Sequence, residues 1–93
     1  ENIGYMAGAT KDMFDRCYND WFDSTAAKPL ALYIRAGLDG NATKNALISI
    51  CGGLKWRFVA APLIIHGYWQ DAFCDQVNEL CLGAVLGIDS NIY

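Results

Sequence analysis

Tyr68-Trp-Gln-Asp-Ala-Phe-Cys-Asp-Gln-Val-Asn-Glu-Leu-Cys-Leu82 is the stretch on which the fold turns. Trp69, Phe73, Cys74, Val77, Leu80 and Cys81 recur at helical intervals, and Asp71, Asp75 and Glu79 take the opposite arc. That period predicts an amphipathic helix over 68–82, ended by Gly83. On such a helix Cys74 and Cys81 stand about 10.5 Å apart along the axis, whereas a disulfide needs Cα atoms within about 7 Å. They cannot pair with each other. Cys17 and Cys51 are the remaining cysteines, which leaves Cys17–Cys74 with Cys51–Cys81, or Cys17–Cys81 with Cys51–Cys74.

Working outward, Met13, Phe14, Cys17, Tyr18, Trp21 and Phe22 fill one half of a helical wheel over Lys11–Asp23, with Thr10 as the N-cap. Leu30, Leu32 and Ile34 alternate with Ala31, Tyr33 and Arg35, the period of a strand opened by Pro29. A second helix begins near Asn41–Thr43, turns Ala46, Leu47, Ile50 and Cys51 to one face, and stops at Gly52 and Gly53. Leu54, Trp56 and Phe58 alternate with Lys55 and Arg57 as a second strand, interrupted or edged by Pro62. Residues 84–88 read as a closing strand, and Ile3–Met6 as a further short one.

Each cysteine sits on the apolar side of its helix, so the staples require the helices to touch. The expected fold is therefore α+β: a two-layer sandwich with three helices segregated on one side of a mostly antiparallel sheet, held by two disulfides. An all-α stapled bundle follows instead if 30–36 and 54–60 are helical.

Ninety-three residues make a single domain, 1–93. A chain this size buries only about 60–65 % of its unfolded surface, so covalent staples are useful. Four cysteines without a close CxxC pair point to an oxidising compartment and hence to a secreted, extracellular protein. A start at Glu1 fits a processed product. The longest uncharged stretch, Phe58–Gln70, falls short of the roughly 20 residues of a membrane-spanning helix. A net charge of −3 argues against nucleic acid as a partner. The charge is nonetheless uneven, because residues 58–93 carry four acids and no Lys or Arg.

His66 is the only histidine, and it lies in an apolar run where a buried, hydrogen-bonded imidazole is the plainer reading. None of Ser24, Ser49 or Ser90 sits in a Gly-x-Ser-x-Gly turn, so no catalytic set assembles and no enzyme is expected. Asp71, Asp75 and Glu79 lack the spacing of a calcium loop, and neither a metal nor a cofactor is expected. Asn41-Ala-Thr43 is an N-glycosylation sequon. Trp21, Trp56 and Trp69 fall on faces expected to be core. Lys55, Arg57 and His66, within the apolar segment 46–69, are the candidates for contact with a membrane or partner.

In its four cysteines and its order of helices and strands, the chain resembles the small secreted killer toxins of yeasts and smut fungi. The resemblance implies a toxin or effector-like protein that binds a target-cell membrane, a surface receptor or another protein. A second processed chain or a homo-oligomer is left open as a further partner. Such toxins often carry more cysteines and a basic surface, and this chain departs from both. A small secreted carrier of an apolar ligand is the alternative.

Overall fold

The computed structural model describes all residues from Glu1 to Tyr93. The elements are α1 (Gly8–Trp21), β1 (Pro29–Leu30), β2 (Tyr33–Ala36), α2 (Asn41–Gly53), β3 (Arg57–Phe58), β4 (Leu63–His66) and α3 (Ala72–Asp89). All peptide bonds are trans.

α1 forms where the wheel predicted it, three residues early. No side chain caps its start: the Ala7 carbonyl accepts from the amides of Thr10 and Lys11, and Thr10 lies inside the helix. Exposed pairs one turn apart, Lys11 with Asp15 and Arg16 with Asp12, line its outer side. At its end the Thr25 hydroxyl donates to the Trp21 carbonyl (2.7 Å) and accepts from the Trp56 indole N–H (2.8 Å). That hydroxyl ties the helix terminus to the chain entering β3. Phe14, Trp21 and Trp56 meet as an aromatic cluster with ring centroids 5.6–6.2 Å apart.

The strands pair in parallel. β1 lies beside β3 with Leu30 opposite Phe58, and β2 lies beside β4 with Arg35 opposite Ile65. Two residues span the gap between β1 and β2 and four the gap between β3 and β4, so Val59–Pro62 bows out of the ribbon. Pro62, which cannot donate to a ladder, sits in that bow. The expected antiparallel sheet is thereby corrected. Alternation marks a strand but not its direction, and here the connection decides. α2 runs from the end of β2 back to the start of β3, so the second strand must repeat the direction of the first.

Gly40 makes the turn into α2. Its φ is +69°, and a Cβ there would stand 3.1 Å from both the Ala36 Cβ and the Ile64 Cγ2. A side chain is thus disfavoured by backbone strain and by space.

The core lies between one face of the ribbon and α1 with α2. Met6, Phe14, Ile34, Ala36, Leu47, Cys51 and Leu54 are buried together, Leu54 completely. Successive residues of β2 alternate in burial, so Ile34 and Ala36 face this core while Tyr33 and Arg35 face away. On that second face lies α3, whose Phe73 ring packs under the Arg35 guanidinium at 5.4 Å.

Further expectations are corrected. The helices are not segregated on one side: α1 and α2 cover one face and α3 the other. The cysteines are free thiols and form no staple. Cys51 is buried beneath α2 and Cys17 is half-buried on α1, whereas Cys74 and Cys81 face solvent on α3, beyond the ribbon. α3 begins at Ala72 rather than at the expected Tyr68, passes through Gly83 and takes in the expected closing strand 84–88. A glycine inside a helix costs only about 1 kcal/mol, and a run with Leu, Ala and Val propagates past it. Ile3–Met6 forms no strand; a single bridge joins Asn2 and Tyr5. What stands is a mixed α+β domain with three helices.

Candidate functional site

The largest cavity opens on the second face of the ribbon, between it and the first two turns of α3. Its volume is about 340 Å³, and Tyr33, Arg35, Ile65, Trp69, Phe73 and Val77 form its walls, with Cys74 and Asn78 at the rim. Local structure explains this set. Tyr33 and Arg35 are the outward residues of β2, Ile65 is their neighbour on β4, and Phe73 and Val77 lie one turn apart on α3. Gly67, with φ +85°, turns the chain out of β4 and brings Trp69 to the cleft wall, while Tyr68 projects into solvent.

Arg35 is the one charged residue in the lining, and it forms no ion pair. Its Nη1 donates to the carbonyls of Ala36 (3.1 Å) and Ile65 (3.0 Å), and its Nη2 to that of Gly67 (2.6 Å). Three of the five guanidinium hydrogens are thus engaged, leaving Nε and one Nη2 hydrogen for a further acceptor. The carbonyls and the Phe73 ring fix the plane of the group, so little rotamer entropy remains to be lost on binding. Trp69 is held by an edge-to-face contact with Phe73 (5.5 Å, 81°) and by its indole N–H donating to Asp71 (3.3 Å), yet remains 59 % exposed. The site is therefore an apolar, aromatic slot, open to water on one side, with a single oriented cation at its floor. Such a slot can take an apolar side chain whose backbone or carboxylate oxygen reaches Arg35.

The residues singled out from sequence lie elsewhere. Lys55 pairs with Asp23 (3.3 Å) and stands over the Phe22 ring (5.6 Å). Arg57 opens β3 at one end of the ribbon and the exposed His66 closes β4 at the other, so these bases do not form one surface. Asn41 is exposed at the start of α2, while Thr43 of its sequon is buried and donates its hydroxyl to the Glu1 carboxylate (2.5 Å). No three His, Cys, Asp or Glu side chains gather as a metal site, and no helix is long and apolar enough to cross a membrane.

Trp69, read from sequence as core, proves to be the exposed wall of the cleft. Arg35 and Tyr33 were missed because they lie on the outward side of a strand, a position normally left to solvent. The available signal was an arginine and a tyrosine on the same side of an otherwise apolar strand. Comparison with protein-family models, with curated proteins and with solved structures finds no match to this chain.

Proposed function

We propose that this chain is a secreted, toxin or effector-like binding protein that acts by docking on a target protein or receptor at a cell surface. The cleft carries the reading: a rigid aromatic slot of about 340 Å³ with an oriented, unpaired arginine beneath it. Exposed Trp and Tyr beside a fixed Arg are the residue types that dominate protein interfaces. The slot is small and open, which suits one anchoring side chain better than an enclosed lipid. Arg35 selects a segment that offers a carboxylate or free carbonyl next to an apolar residue.

The test is saturable binding of fluorescently labelled protein to intact cells. Trp69→Ala removes a largely exposed ring together with its edge contact to Phe73; in a variant with native circular dichroism it is expected to weaken binding by about 2 kcal/mol, near thirtyfold. Equal binding by native protein and Trp69→Ala would overturn the reading. Two controls cover the other modes: dye release from anionic liposomes reads a membrane-active agent, and a lipid retained in native mass spectrometry reads a carrier.

A further inference from the structure

Two cavities share the outer edge of β2. The Leu63 amide donates to the Leu32 carbonyl (3.0 Å), which sets the phase of the parallel ladder: Ile34 and Ala36 turn their amides and carbonyls toward β4, and Tyr33 and Arg35 turn theirs away from it. On that open side the Arg35 carbonyl accepts from the Glu1 nitrogen (2.8 Å). The Tyr33 amide, the Tyr33 carbonyl and the Arg35 amide have no partner within the chain. Both residues line the aromatic cleft on the second face, and both also line a smaller cavity of about 160 Å³ on the core face, walled by Met6, Ala7, Leu32 and Leu47. The edge therefore runs between two hollows, one on each face of the ribbon. At the other edge, Ile64 and His66 of β4 also turn their main-chain groups outward, but neither lines a cavity.

We propose that the target docks through an extended peptide segment that adds to β2 as a third, antiparallel strand; the inference rests on the cleft reading and gives its ligand a form. Unpaired main-chain donors and acceptors in strand register are the complement of another extended backbone. A lipid or a helix surface offers no such series. Antiparallel pairing is the more stable per residue, and in it the residue opposite Tyr33 exchanges both hydrogen bonds with Tyr33, while the carbonyl two residues before it accepts from the Arg35 amide. The Glu1 nitrogen closes the edge beyond that point. Strand side chains alternate between faces, so the residues opposite Tyr33 and Arg35 lie on the cleft side, and the one between them, opposite Ile34, enters the smaller cavity. The cleft, walled by Trp69 and Phe73, takes a large apolar side chain, and the smaller cavity a short one. Arg35, which has no ion pair, selects a carboxylate opposite itself. From N to C terminus the segment therefore reads acid, small apolar, large apolar.

The test is selection of random peptides displayed on phage against the whole protein, followed by synthesis of the enriched sequences. These should carry an acid two residues before a large apolar residue. In the complex, amide exchange measured by NMR should slow by at least about tenfold at Tyr33 and Arg35 and stay unchanged at Ile64 and His66. N-methylation then reads the ladder directly. Methylating the large apolar residue removes the hydrogen given to the Tyr33 carbonyl and should weaken binding by at least about tenfold, whereas the small residue before it turns its amide away and should tolerate the methyl within about twofold. Peptides that bind less well to Trp69→Ala yet are indifferent to N-methylation of the large apolar residue would overturn strand addition and leave the cleft reading standing. Failure to enrich any peptide, or slowed exchange at Ile64 and His66 in place of Tyr33 and Arg35, would overturn it as well. The cleft reading itself is judged separately, by binding of Trp69→Ala to cells.

Discussion

Cys51 shows how a single side chain reports the packing around it. It is 2 % exposed among Leu47, Leu54 and Met6, and burial pushes its thiol up from the ordinary value of 9.0. Because the folded pKa lies above the unfolded one, unfolding releases a proton at alkaline pH. The contribution is fully present below the ordinary thiol value and is lost as pH rises through the folded value. Urea titrations at several pH values should therefore show stability falling more steeply above pH 9 for native protein than for Cys51→Ala. Gly40 is the backbone counterpart. Gly40→Ala must hold φ +69° with a methyl 3.1 Å from Ala36 and Ile64, and should lower unfolding free energy by about 1–2 kcal/mol. An unchanged urea midpoint would show that the turn relaxes. Both effects depend on where these residues sit, since a free cysteine and a glycine in Asp39-Gly-Asn41 are unremarkable as sequence.

At the level of elements, α2 was legible at both ends: Gly40 and Asn41 begin it, and Gly52 and Gly53 close it as the spacing implies. α1 was legible in its face, with Phe14 buried and its charges outward, although the expected Thr10 cap is unused. α3 was legible in its middle and at neither end: the period predicts a start at Tyr68, yet residues 68–71 stay outside the helix, which begins at Ala72. Gly83 is a stop only when a favourable continuation is missing, and the run after it is as good a helix as a strand on composition alone. At Gly83 an added Cβ meets nothing within 4 Å. Gly83→Ala should consequently raise helicity by circular dichroism and add about 0.5–1 kcal/mol to stability. A closing strand at 84–88 would show no gain in helicity.

Over the whole molecule, the buried residues divide unequally between the two faces of the ribbon. α2 buries Thr43, Leu47 and Cys51, whereas α3 buries Phe73 and Gly87, and Gly87 is covered by the chain's own Tyr93. Phe73 is thus the principal anchor of α3. Opening free energy follows burial, so amides of α3 should exchange with deuterium well before those of α2 and β2. Equal protection in all three would contradict a single anchor. The sequence by itself determined the three helices, the strand stretch around 30–36 and part of that at 54–58, which side of α1 and α2 is apolar, and that Cys74 and Cys81 do not pair with each other; β4 was not legible in it. Those are consequences of period and rise, which are local quantities. Only the tertiary structure decided that the strands run parallel, that α3 crosses to the second face, that the thiols stay apart and that Arg35, Phe73 and Trp69 build a cleft. Periodicity tells which side of an element avoids water but not which other element covers it. The choice of cover was made by the length of α2, by the turn at Gly67 and by the reach of residues distant in the chain.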